Sequence, residues 1–257
     1  FMSKDSLTIT DNRTGKTYEI PIFHGTYPEY GSAIRTADLR QIKLSDDDFG
    51  LLGYDPAYLN TGSCQSAITF IDGEKGILRY RGYPIEQLAE QGSYLETAYL
   101  LLYGELPNAQ QLDEWTRIVM ERTVFDENIL KLVAGFQEGS HTMGMLVGIL
   151  GGLSTFYANA RDISDEKARD MHIHRLVGNV ATVGALVYRR SRGLPYVASD
   201  SSQGYCANFL NMLFGSPQEV YTANPVMERA LEVLFILHAD HEQNCSASTM
   251  RSIGSGP

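Results

Sequence analysis

The residues best suited to chemistry lie late in the sequence, in Ile236-Leu237-His238-Ala239-Asp240-His241-Glu242-Gln243-Asn244. If the preceding apolar helix runs through them, His238 and His241 stand one turn apart on one face, with Asp240 and Glu242 beside them. Two chemistries suit that set. In the first, His238, Asp240 and His241 hold a metal in a helical metal-dependent hydrolase. A catalytic zinc needs a third ligand and a base in fixed geometry, and no Cys/His cluster elsewhere offers them. In the second, an imidazole donates a hydrogen bond to a substrate carbonyl or carboxylate, work that histidine does well near neutral pH. His172-Ile173-His174 sends two rings to nearly opposite sides of a helix, which suits a solvated face better than a site.

A second stretch, Phe70-Ile71-Asp72-Gly73-Glu74-Lys75-Gly76-Ile77-Leu78-Arg79-Tyr80-Arg81-Gly82-Tyr83-Pro84, reads as two β-rich runs about a Gly-bounded turn that feed a helix through Pro84. Structure alone explains that pattern. Upstream, Leu7-Thr8-Ile9-Thr10 and Thr17-Tyr18-Glu19-Ile20 alternate with period two around the turn residues Asn12 and Gly15. Extended chain continues to about residue 59, punctuated at Gly25, Pro28, Gly31, Gly53 and Pro56. From about Pro84 the period turns helical. Helices are expected over 85–89, 94–103 (closed by Gly104), from 107–108 through 119, and over 126–138, 142–160, 165–190, 204–214 and 225–241. The expected class is therefore mainly α, with a small β-rich N-terminal region over 1–60 and a helical domain over 61–257.

Residues 140–160 carry no Asp, Glu, Lys or Arg. Their length approaches a bilayer span, but the polar residues within them and a mean hydropathy of −0.19 favour a helix buried on all sides of a helical core. Gly144, Gly148 and Gly152 recur four apart, so they need a packing reason: a tight crossing inside the domain or at a subunit interface. A non-catalytic assembly module built on that stripe is a third reading of the chain.

With 21 Lys+Arg against 31 Asp+Glu, the formal charge of −10 repels nucleic acid and anionic lipid. Arg189-Arg190-Ser191-Arg192 is the only dense positive run, and it reads as complement to a helix dipole. Three distant cysteines (Cys64, Cys206, Cys245) make no disulfide framework, and the polar start Ser3-Lys4-Asp5-Ser6 has no apolar leader. Together these read as a cytoplasmic protein.

The stretch from Phe70 to Leu88 closely resembles a motif of citrate synthases, and His238 to Asn244 resembles their HADHE-Q-N segment. Ala207-Asn208-Phe209-Leu210 and Asn224-Pro225 also sit where that family has similar residues. The hairpin-bearing N-terminus resembles the larger bacterial form, type II. The resemblance implies a multi-helical large domain and the entry step of the tricarboxylic acid cycle: acetyl-CoA and oxaloacetate condense with water to citrate and CoA. It implies no cofactor, no metal, and a homodimer or trimer of dimers. By resemblance His241 is the catalytic, oxaloacetate-binding histidine, Asn244 a second substrate contact and His238 a supporting one. The family's enolate-stabilising histidine, its keto-polarising histidine and its aspartate belong to later segments, so a 257-residue chain is expected to be inactive alone. Thr123, Tyr157 and Arg175 match positions of an allosteric NADH site found in some type II enzymes. Glu121 and Asn179 stand there where basic residues are expected, which implies weak NADH inhibition. Ser201-Ser202 replaces an Asn-Asp pair of the bacterial type, so a substrate contact from that loop is not carried over. The competing activity is 2-methylcitrate synthase, with propionyl-CoA as donor.

Overall fold

The computed structural model describes residues 5–27, 31–56, 59–124, 127–157, 164–219 and 221–254. The chain divides into two units, Phe1–Thr69 and Phe70–Pro257. In the first, β1 (Ser6–Asp11) pairs antiparallel with β2 (Lys16–Pro21), Leu7 facing Ile20 and Ile9 facing Tyr18. The turn between them is closed by Gly15 in the left-handed region, and Asp11 ties down both the amide and the guanidinium of Arg13. A two-residue hairpin, β3 (Phe23–His24) with β4 (Ser32–Ala33), and a 3-10 helix over Thr36–Gln41 complete its regular elements among the described residues. The expected turn at Pro28 lies outside them.

The second unit opens with a small sheet in the order β5 (Thr69–Asp72), β6 (Ile77–Tyr80), β7 (Tyr83–Pro84), which runs directly into α1 (Ile85–Gln91). Helix α2 (Tyr94–Tyr103) starts at a capping box between Ser93 and Glu96 and stops at left-handed Gly104. Helix α3 (Ala109–Glu121) starts at a second box between Asn108 and Gln111. There follow α4 (Glu127–Ala134), α5 (Thr142–Phe156), α6 (Glu166–Ser191), α7 (Tyr205–Phe214), α8 (Pro225–Leu237) and α9 (Cys245–Gly254). The expected helix residues at 126 and 158–160 lie outside the described residues.

Helix α6 is the central post. Its buried face joins Trp115 and Val119 of α3 and Cys206 and Met212 of α7 in one cluster, and Ile129 of α4 and Met145 and Ile149 of α5 in another. A third cluster gathers Tyr80, Ile85, Leu88, Leu100 and Ile236 beneath β6, α1, α2 and α8. Three arginines fasten helix ends by taking their unpaired carbonyls. Arg189 donates to Leu213 and Gly215 at the end of α7, Arg190 to Phe136 after α4, and Arg229 to Gly92 after α1. The basic run at 189–192 thus complements the dipoles of neighbouring helices rather than only its own.

Helix α5 corrects one expectation. It is not buried on all sides: Met145, Ile149 and Leu153 face the core, while Met143 and Val147 are 57% and 65% exposed. Of the glycine stripe, Gly148 and Gly152 sit against Phe136 and Leu132, so two of its three members serve tight packing on α4 and the turn after it, and Gly144 meets nothing. No described helix is long and apolar enough to cross a membrane.

Candidate functional site

Helix α8 begins where Asn224 caps the amide of Val226 and Pro225 supplies the first turn. It ends at Leu237, four residues earlier than its apolar period suggests. His238 is its C-terminal cap and His241 lies in the loop beyond, so the two do not share a helical face. The loop still folds their rings to 5.7 Å between centroids, at 63°. His238 Nδ1 donates to the Leu234 carbonyl at 2.8 Å. A carbonyl can only accept, so this bond places the proton on Nδ1 and leaves Nε2 as acceptor when the ring is neutral. His241 is exposed, and among the described residues nothing hydrogen-bonds its ring nitrogens.

Neighbouring groups shape the loop. The Tyr80 hydroxyl, from the end of β6, lies 3.2 Å from the Asp240 carbonyl and 3.4 Å from that of Leu237. The Asp240 carboxylate accepts the amide of Glu242 at 3.0 Å, and Glu242 holds φ +59, a left-handed conformation uncommon for a side chain of that size. Partial desolvation and the charge of Asp240 raise the Glu242 pKa above its ordinary value. Asn244 begins α9, its side-chain oxygen accepting the amide of Ala247 at 2.9 Å. That oxygen is committed to the cap, so its amide nitrogen is the group left for a ligand.

Beside the segment lies a hollow of about 300 Å³, walled by Tyr94, Tyr205, Phe209, Phe235 and His238. It is His238, and not His241, that contributes to this wall. The hollow brings an apolar surface up to one imidazole, while His241 offers a second from the loop outside. His241 can donate to an oxygen of a small keto or carboxylate ligand, while His238, whose Nδ1 proton is spent on Leu234, can donate from Nε2 only when the ring is protonated.

Tyr157 and Arg175 meet, the guanidinium carbon lying 3.9 Å from the ring centroid. Thr123 is fully buried instead, and its hydroxyl is spent on the Met120 carbonyl and on Ser199. Asn179 is also buried and donates to the Tyr157 hydroxyl, and Glu121 pairs with Arg117 at 2.8 Å. His174 is not on a solvated face: its side chain is 13% exposed, packs edge-on to Trp115, and lies 2.9 Å from the Tyr103 hydroxyl. Among the described residues, no three His, Cys, Asp or Glu side chains gather as a metal-holding group. Cys206 is buried near Glu232 and Glu228, and burial foremost pushes its thiol up to about 12. The sequence reading missed Tyr80 as a partner of the histidine loop. The only local signal is the turn after it, where Arg81 and Gly82 both take positive φ.

The citrate synthase C-terminal domain model matches residues 57–256. A citrate synthase of Dictyostelium discoideum is 46% identical over 98% of this chain and 49% of its own length. A peroxisomal citrate synthase of the same organism is 45% identical over 98% of the chain and 51% of its own length. In the crystal structure of citrate synthase from Pyrobaculum aerophilum, 70% of this chain and 45% of that one superpose with TM-score 0.64 and 30% identity. The chain spans about half the length of the curated relatives it matches. Peroxisomal and glyoxysomal forms among the relatives overturn the cytoplasmic expectation. The physical reason is that cysteine content bears on the redox environment alone and does not distinguish one reducing compartment from another.

Proposed function

Because the chain belongs to the citrate synthase family, we propose that the full-length protein condenses acetyl-CoA with oxaloacetate and water to give citrate and CoA. This is an acyltransferase reaction in which the transferred acyl becomes alkyl. The observation that carries the reading is the paired imidazoles of His238 and His241 at the end of α8, 5.7 Å apart, on the segment that matches the family's oxaloacetate histidines. His241 is free to donate to an oxygen of oxaloacetate. His238, its proton fixed on Nδ1 by Leu234, holds the ring beside it in one orientation. Asn244 offers its amide nitrogen after α9 has taken the oxygen.

Removing a proton from the acetyl methyl puts charge on the thioester oxygen, so the barrier falls only if a preorganised donor meets that charge. By resemblance that donor, the base and the keto-polarising histidine belong to the half of the relatives' length that this chain does not span. The helical unit then corresponds to part of the large domain, to be covered by a closing small domain that excludes water.

The β-rich region over residues 1–60, set before a helical domain over 61–257, supports the larger, type II architecture. The exposed uncharged face of α5 supports a homodimer or trimer of dimers, since Met143 and Val147 stand in water without a charge beside them on the helix. Weak NADH regulation follows from Asn179 and Glu121 being spent on Tyr157 and Arg117. Peroxisomal residence is the placement that the relatives' names support.

The test is thiol release by the full-length protein with acetyl-CoA or propionyl-CoA. Oxaloacetate-dependent release with higher kcat/KM for acetyl-CoA, lost in His241→Ala and absent from the 257-residue piece, is the expected outcome. No oxaloacetate-dependent release, or a preference for propionyl-CoA, refutes it.

A further inference from the structure

Tyr80 is fully buried, with its ring among Ile85, Leu88, Leu100 and Ile236. Phenylalanine fills the same volume, so the core does not explain the hydroxyl. That oxygen reaches across 157 to 160 residues of sequence to the loop bearing the histidines. It donates to the carbonyl of Asp240 or of Leu237, at 3.2 and 3.4 Å, and lies 3.4 Å from the Asp240 amide, from which it accepts. Leu237 carries one of the carbonyls that the end of α8 leaves without a helical partner. On the far side of His241, the Asp240 carboxylate takes the Glu242 amide and holds that residue at φ +59. His241 is thus bracketed between a backbone anchored on Tyr80 and a residue held in a sparsely populated conformation. Such a conformation persists where the surroundings over-determine it, and it commonly marks a functional site.

We propose that Tyr80 is a positioning residue for oxaloacetate binding: its hydroxyl pins the Leu237–Asp240 backbone and so fixes where His238 and His241 present their rings. The inference rests on the proposed condensation, since it assigns the histidine loop to the keto-diacid. Tyr80 touches no substrate and acts through the loop alone. Removing the hydroxyl takes the anchor from the Asp240 backbone while the amides of His238 and Ala239 keep their bonds to Leu234 and Ile236. The His241 ring, next in the chain, then samples orientations that do not bind.

Tyr80→Phe in the full-length protein tests this by two independent readouts. Amide hydrogen exchange at 239–242 is expected to speed up about tenfold, with α6 amides changed by less than about twofold. The KM for oxaloacetate is expected to rise about tenfold, with the KM for acetyl-CoA within about twofold. A merely structural tyrosine lowers the melting temperature and shifts both KM values together or neither. Unchanged exchange at 239–242 overturns the pin, and an unchanged KM ratio overturns its bearing on binding. If the variant does not fold, the unmodified protein decides: the Asp240 amide must exchange more slowly than that of His241, and equal rates overturn the proposal. Should the unmodified protein show no saturable dependence on oxaloacetate, the condensation fails, while the exchange measurement still decides whether Tyr80 holds the loop.

Discussion

Gly178 lies on α6 where that helix crosses α3. A β-carbon added there falls 2.5 Å from the Val119 carbonyl oxygen, 2.9 Å from Arg122 Cβ and 3.1 Å from the Arg122 carbonyl carbon. Comfortable heavy-atom separation is about 3.5 Å, so the clash amounts to roughly 1 Å. The nearest obstacle is backbone, which cannot rotate aside as a side chain does, so α3 itself must retreat. Overpacking of this kind costs about 1–3 kcal/mol. Against it, alanine gains about 1 kcal/mol over glycine in a helix interior. Because the obstacle is backbone, the overpacking cost falls in the upper part of its range, about 2–3 kcal/mol. Gly178→Ala is therefore expected to lose about 1–2 kcal/mol net, which lowers Tm by roughly 2–8 °C in a chain of this size. Gly151 on α5 meets nothing within 4 Å. There the propensity acts alone, and Gly151→Ala should gain up to about 1 kcal/mol. The single tryptophan makes the assay specific, because Trp115 is carried by α3, is 3% exposed, and donates to the Leu95 carbonyl at 2.9 Å. Thermal unfolding followed by circular dichroism gives the stability, and Trp115 emission should shift to the red in Gly178→Ala alone. A Gly178→Ala protein as stable as the parent, with unmoved emission, refutes the close crossing and the reasoning from it.

Two further perturbations follow from the same contacts. Arg189 is buried and hydrogen-bonds the Leu213 and Gly215 carbonyls, so Arg189→Met should cost about 3 kcal/mol in urea unfolding by leaving acceptors unmet. Arg189→Lys should recover only part, because an ammonium lacks the planar fork, and a loss below about 0.5 kcal/mol in Arg189→Met contradicts this account. For Glu242, partial desolvation and Asp240 raise the folded pKa above 4.5, so the native state binds that proton more tightly than the unfolded chain. Its contribution is complete below the ordinary glutamate value and is lost as pH rises through the raised one. Asp200 acts oppositely. Hydrogen bonds from Ser202 and Gln203 lower its pKa, so its contribution is present above the ordinary aspartate range and lost as acid is added. Urea midpoints measured across acidic pH should lose the first slope in Glu242→Gln and keep the second. A slope unchanged in that variant refutes the assignment.

What the letters determined is what depends on neighbours in the chain. The two extents of α2 are legible because Ser93 and Glu96 close a box and Gly104 supplies the left-handed stop. The β1–β2 hairpin is legible because alternation and the Asn12 to Gly15 turn lie within one short segment. The HADHE segment was legible as a residue set, and its likeness to a family pointed to the chemistry. Its geometry was not. Ala239 and the apolar run before it continue a helical period past Leu237, and nothing adjacent in sequence says where the helix stops. The Tyr80 hydroxyl, 157 residues before Leu237, donates to the carbonyl of Leu237 or of Asp240 at that point, and the loop then turns through Glu242 in a conformation that no propensity suggests. The same holds for α5, whose uncharged composition implied full burial, although the described fold covers only one stripe of it. Periods and caps are short-range physics and can be read along the chain. Which carbonyl a buried hydroxyl meets, and which apolar face finds a neighbour, is decided by elements far apart in sequence, and only the packed structure brings them together.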